Sequence, residues 1–212
     1  MKVSSFKVGV VVTADQQQSR RSDDDVPRAL DALAGLPGFR LAWERTVGDE
    51  IQAFTEDPAA AVAAVEVLIR LDRWQIGLGL GPVEAPLPSS TRAARGVAYL
   101  DARSAVERAK RAPVPLAVAG PGAADVEAAL WLYGAQLARR TAEGWQAADL
   151  LAEGLTQTEI AARLGVSPSA VSQRVARAGI EVSDAGRALI IRLLSSALAD
   201  QEVSEPADRL IS

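Results

Sequence analysis

The segment TQTEIAARLGVSPSAVSQRVARAG, from Thr156 to Gly179, carries more local structural instruction than any other part of the chain. Thr156 and Glu159 have capping-box spacing, which starts a helix at Gln157. Ile160 and Leu164 fall on its inner face, and Ala161 is small where a second helix must approach. Gly165 permits the left-handed conformation that turns the chain. Val166 fills the angle between the two helices. Ser167 caps the next helix and Pro168 opens it, with Val171 and Val175 facing inward. The segment from Thr156 to Ala178 is therefore expected to form a helix-turn-helix.

The second of these helices points Ser169, Ser172, Gln173, Arg174 and Arg177 outward. Gln can hold an adenine through two hydrogen bonds, and Arg can grip guanine or a phosphate. Glu159 is the only acid between Gln157 and Gly179. The block resembles bacterial helix-turn-helix regulators in general, which implies double-stranded DNA as partner. The expected contacts are Ser169, Ser172 and Gln173 on bases and Arg174 and Arg177 partly on phosphate, with Thr156, Gln157 and Ser167 at the helix starts. The net charge of −4 makes a non-specific nucleic-acid coat a poor reading. Binding has to come from a local basic surface.

The rest of the composition excludes several classes. The 212 residues suit one or two domains. There is no Cys and no His, which removes disulfides, thiolate nucleophiles, imidazole bases and Cys/His zinc sites. Carboxylates and carbonyls would have to hold any metal, which favours a hard ion such as magnesium. No stretch reaches the roughly 18 uninterrupted apolar residues of a membrane span. The start, Met1-Lys2-Val3-Ser4, lacks the apolar core of a signal peptide, so a cytoplasmic location with no membrane partner is expected.

The first half alternates strand and helix signals. Phe6 to Ala14 reads as a buried strand, Val26 to Ala34 as a helix, and FRLAWERT after Gly38 as a strand. Val47-Gly48-Asp49-Glu50 is a tight-turn candidate leading into Ile51 to Phe54. Asp57-Pro58 caps and opens a helix, Trp74 to Leu80 is a Gly-rich strand, Val97 to Arg111 an amphipathic helix, and Val114 to Val118 a last strand. This order predicts an α+β fold: a ferredoxin-like βαββαβ sheet with additions and helices packed on one face. Ala119-Gly120-Pro121-Gly122-Ala123 breaks the pattern. The expected divisions are a sheet domain over 1–120, connecting helices over 121–153, broken near Gly144, a helix-turn-helix domain with a C-terminal helix over 154–200, and a tail over 201–212. Leu130, Trp131, Tyr133, Leu137 and Leu150 are expected to form one packing stripe. Arg20-Arg21 followed by three acids reads as a solvated loop.

Two carboxylates stand in telling places. Asp15 ends the first strand and Asp49 lies in the presumed hairpin turn. In a βαββαβ sheet those strands are neighbours, so both side chains can converge on one divalent ion. Two carboxylates with substrate phosphates are a usual way of holding magnesium.

The motifs VTADQQQS, Arg45-Thr46-Val47-Gly48-Asp49, WQIGLGLG and GVAYLDARSAVERAK occur in the order and at the distances of the class III nucleotide cyclase catalytic domain, which residues 3–118 resemble. The resemblance to diguanylate cyclase domains is more distant, and the two-part layout is most similar to the SatD group of bacterial proteins. The resemblance implies Asp15 and Asp49 as metal ligands, Arg45 in place of a base-recognising Lys, and Arg103 in place of the Arg that stabilises the transferring phosphate. It further implies a purine nucleotide with Mg or Mn, and a homodimer. The chain departs from the pattern at Tyr99, where the family has a ribose-binding Asn. A second departure is that Thr91, Arg92 and Arg95 occupy the stretch of the second base-reading residue. Glu50 resembles the Glu beside the Asp in diguanylate cyclases, but Val47 stands where their glycine is. The combined reading is a homodimeric, sequence-specific transcriptional regulator on a palindromic site, its cyclase-like domain either a purely structural dimerisation unit or one that also senses nucleotide or metal. The alternative is an active ATP or GTP cyclase with a regulatory DNA-binding tail, in which Arg103 would be catalytic.

Overall fold

The computed structural model describes residues 5–19 and 23–204. The first four residues, Arg20-Arg21 and most of the expected tail lie outside them. The N-terminal region is a five-stranded sheet with helices, and the C-terminal region is helical, giving a mixed α+β protein. The strands are β1 (Ser5–Gln16), β2 (Phe39–Arg45), β3 (Glu50–Thr55), β4 (Trp74–Ala85) and β5 (Leu116–Ala119). Their order is β2-β3-β1-β4-β5, antiparallel throughout except for the parallel β4–β5 pair. The first four follow the βαββαβ arrangement, with α1 (Val26–Ala34) and α2 (Pro58–Leu71) as the connecting helices. Asp57 caps α2 by accepting from the Ala59 amide at 2.8 Å, and Pro58 opens it.

Side chains of β1 alternate between two cores. Val10, Val12 and Ala14 join Ile76 and Leu78 of β4 under α1 and α2. Val11 faces the other way and packs with Phe54, Ala98 and Ala102. The latter two belong to α3 (Val97–Ala109), which covers the second face of the sheet. The expectation of helices on one face is thus corrected. The reason lies in Gly77 and Gly79 of β4, where a Cβ would collide with the α3 backbone at Ala98, Ala102 and Val106. Glycines there let the helix lie directly on the strand. The β3–α2–β4 and β4–α3–β5 connections step in the same direction between parallel strands, yet their helices lie on opposite faces. The two crossovers therefore have opposite hands, and one departs from the usual right-handed rule.

Beyond β5 come α4 (Ala123–Ala138), α5 (Ala142–Ala152), α6 (Gln157–Leu164), α7 (Pro168–Ala178) and α8 (Ile180–Ser204). Three sequence expectations change here. The break between α4 and α5 falls before Gly144, because Thr141 caps α5 by accepting from the Gly144 amide at 3.2 Å. Gly144 instead sits inside α5, where a Cβ would press on Ala178 of α7. The expected stripe also divides. Leu130, Tyr133 and Leu137 of α4 join the main core, whereas Leu150 of α5 joins a separate cluster with Ile160, Ala161 and Val171. The last helix starts earlier and runs longer than expected, taking in residues 201–204. Its Ile190, Leu194, Ala197 and Leu198 pack with α4 in the main core. Among the described residues, no helix is long and apolar enough to cross a membrane.

Candidate nucleic-acid interface

The compact unit at the C-terminal end is the three-helix set α5–α7. Its core is Leu150, Ile160, Ala161 and Val171, flanked by Leu151, Leu155, Leu164, Val166 and Val175. Every local device expected from sequence is present. Thr156 and Glu159 form a reciprocal capping box, the Thr156 hydroxyl accepting from the Glu159 amide at 3.3 Å and Glu159 Oε2 accepting from the Thr156 amide at 2.7 Å. The Thr156 hydroxyl also donates to Glu159 Oε2 at 2.7 Å, and this bond first, then the one from the Thr156 amide, hold the Glu159 carboxyl below its ordinary range. Gly165 adopts the left-handed conformation, with φ 65° and ψ 33°. Ser167 caps α7 by accepting from the Ala170 amide at 3.2 Å, with Pro168 at the first position.

With Val171 and Ala178 buried, the opposite face of α7 turns to solvent. Ser169, Ser172, Gln173 and Arg177 are exposed, as are Thr156, Gln157 and Ser167 at the helix starts. Arg174 is half-buried, close enough to Glu143 for its charge to act on that carboxyl. Arg163 is bound to Glu153 at 3.2 Å. The surface is polar and weakly basic, and Ser, Gln and Arg are the side chains that read base edges and phosphates.

The unit is docked on the body through polar contacts that sequence reasoning missed. Arg70 of α2 makes a bidentate pair with Asp149 of α5, at 2.8 and 2.7 Å. Arg140 donates to the Ala178 carbonyl at 3.2 Å and to Ser183 Oγ at 2.8 Å. The Arg70 and Arg140 guanidinium carbons lie 5.1 and 4.5 Å from the Trp145 ring centroid. Beside these contacts runs a crevice of about 450 Å³ reached by Glu66, Tyr133, Arg140, Trp145 and Arg187. No local pattern signals such pairs, which join residues up to 79 positions apart.

The second cluster lies on the α3 face of the sheet. Asp15 pairs in register with Glu50 on one side and Gln75 on the other, so all three point the same way. Asp49 follows the hairpin turn, where Gly48 is left-handed at φ 61°. Asp15 and Asp49 do converge, both lining an open cleft of about 450 Å³ with Gln16, Gln18, Ser19, Gln75 and Lys110. Burial raises the Asp15 carboxyl above its ordinary range, and the nearby Asp49 adds to that, while Lys110 opposes it. Lys110 Nζ is 3.1 Å from Asp15 Oδ2 and 2.7 Å from Glu107 Oε1. Glu107 first, then Asp15, hold the ammonium above the ordinary lysine range. Lys110 was not singled out from sequence. It is the last residue of a quoted motif, but its reach to Asp15 depends on where α3 crosses the sheet.

The other residues implied by the cyclase resemblance do not line this cleft. Arg45 makes a bidentate pair with Asp24, at 2.9 and 2.8 Å, and donates to the Gly48 carbonyl at 2.6 Å. Arg103 lies 3.6 Å from Glu50. Tyr99 packs against the Val11, Phe54 and Ala98 cluster and shares a 3.0 Å hydrogen bond with Thr91. Magnesium asks for near-octahedral oxygen donors and usually carboxylates free to bind it. Here one of the two carboxylates already holds an ammonium, and no group of three or more acids suited to a metal occurs among the described residues. The donor set does not fit a divalent ion.

Comparison with known families is consistent with the geometry of α5–α7. Residues 138–182 match the model of a homeodomain-like domain. A search of curated proteins finds no match to the chain. The matched span starts at the end of α4 and takes in all of α5, the first helix of the compact unit. The C-terminal helical region thus contains a homeodomain-like domain of the helix-turn-helix type, a class of unit that binds DNA.

Proposed function

We propose that this protein is a sequence-specific DNA-binding transcriptional regulator that reads its site through α7. The observation that carries the reading is the division of that helix. Its apolar residues Val171, Val175 and Ala178 point into the three-helix core, while Ser169, Ser172, Gln173 and Arg177 stay exposed. In helix-turn-helix units the second helix enters the major groove and its N-terminal residues reach base edges. Ser169, Ser172 and Gln173 take that role here, and Arg174 and Arg177 contact phosphate, with Thr156, Gln157 and Ser167 at the flanking backbone.

The modest charge of this surface favours two copies acting together. Few phosphates can be neutralised by one unit, and affinity scales with that number. The sheet region is the dimerising part in this reading, and two-fold symmetry then calls for a palindromic site with half-sites about 34 Å apart. Genomic capture followed by footprinting tests this; a single asymmetric footprint from a monomer would overturn the dimer. Gln173→Ala should cost about 1–3 kcal/mol at one base position and relax specificity there. An equal loss on every sequence would remove Gln173 from the base-reading set.

The convergence of Asp15 and Asp49 gives the enzyme reading its one support. Incubation with ATP or GTP and magnesium or manganese separates the two readings. Cyclic product, lost in Asp49→Asn, would favour a cyclase; sequence-selective DNA capture without product favours the regulator.

A further inference from the structure

We propose that the Lys110 ammonium stands in for a divalent cation at the Asp15–Asp49 pair, making the cleft on the α3 face a metal-independent site. Lys110 Nζ lies 3.1 Å from Asp15 Oδ2, so the carboxylate already holds a cation. It is not a loosely swinging side chain. Glu107, one turn earlier on α3, binds the same nitrogen at 2.7 Å, and the close seating of α3 on Gly77 and Gly79 fixes the root of the side chain over the sheet. The other residues around the cleft, Gln16, Gln18, Ser19 and Gln75, are neutral. The ammonium, held by Glu107 as well, offsets part of the negative charge that the Asp15–Asp49 pair would present to a divalent ion. An ion coordinated by Asp15 would also sit within a few ångströms of a like charge, which opposes binding. The inference is independent of the DNA-binding reading, since it concerns only the sheet region.

Manganese binding to the full chain, followed by electron paramagnetic resonance and calorimetry, tests it without any nucleotide or DNA. The wild type should bind manganese no better than Asp15→Asn/Asp49→Asn. Lys110→Met should gain one site, at least about tenfold tighter than any wild-type binding, and adding Asp49→Asn should abolish it. Lys110→Arg, which keeps the charge, should gain none. The inference is overturned if the wild type holds one manganese that Asp15→Asn releases. It is equally overturned if folded Lys110→Met binds no more tightly than wild type; the wild-type arm decides the matter alone if that variant does not fold.

Discussion

The two polar clusters of this protein use their charges in opposite ways. On the sheet, three cations around the cluster already hold a carboxylate of the same chain: Arg45 with Asp24, Arg103 with Glu50, and Lys110 with Asp15. On α7 Ser169, Ser172, Gln173 and Arg177 remain exposed, and Glu159 of the preceding helix is taken up by its own helix cap. A surface that keeps its donors open is arranged for an external partner. A cluster that satisfies itself has less to offer one, because a ligand must first displace internal pairs. The comparison teaches that residue type alone did not separate the two. Their partners did.

Substitutions can break the comparison region by region. The largest effect is expected from Gly79→Val, which forces a side chain into the α3 backbone. Overpacking of this kind costs about 3 kcal/mol or more, and chemical denaturation should show the sheet region failing. Ile160→Ala empties the centre of the three-helix core and should cost about 2–5 kcal/mol. Because that core is separate from the main one, DNA binding should disappear while hydrogen exchange in β1 and β4 stays slow. Loss of protection in both would show that the regions unfold as one. Ser167→Ala removes only the cap of α7. About 1 kcal/mol of stability should go, measured by thermal melting, with the sequence preference on DNA unchanged.

The smallest effect is a pH dependence. Glu159 has a folded-state pKa below its ordinary 4.5, chiefly because of Thr156. The folded state therefore binds its proton more weakly than the unfolded chain does. That contribution is present above the unfolded pKa and disappears as pH falls through the folded value. Thr156→Val should lower the melting temperature at neutral pH, and the gap from wild type should narrow below about pH 4.5. A gap that stays constant down to pH 3 would assign the loss to the bond the hydroxyl accepts from the Glu159 amide rather than to the one it donates to the carboxylate.

The difference between the regions also explains how much could be read in advance. Thr156, Gly165, Ser167 and Pro168 act through neighbours at most four residues away, so their roles follow from spacing. The same holds for Asp57-Pro58 at α2 and for the hairpin turn at Gly48. Helix placement around the sheet was not local. The sequence shows glycines at 77 and 79 but not the helix that lies on them, and the expected one-sided packing failed for that reason. At the sheet cluster, the nearness of Asp15 and Asp49 followed from strand adjacency. The pairing of Arg45 with Asp24, Arg103 with Glu50 and Lys110 with Asp15 did not.

What the sequence by itself determined is the set of features written in short-range chemistry: the caps, the left-handed turns, the apolar faces, the alternation of β1 and the order of strands and helices. These depend on backbone preferences and hydrogen bonds that close within a turn or two. Tertiary structure alone decided which charges remain open. An ion pair forms wherever folding brings two side chains within about 4 Å, and chain separation places no limit on that. The helix-turn-helix was therefore legible from its own residues, whereas the character of the Asp15–Asp49 cleft depended on a lysine delivered from the far end of α3.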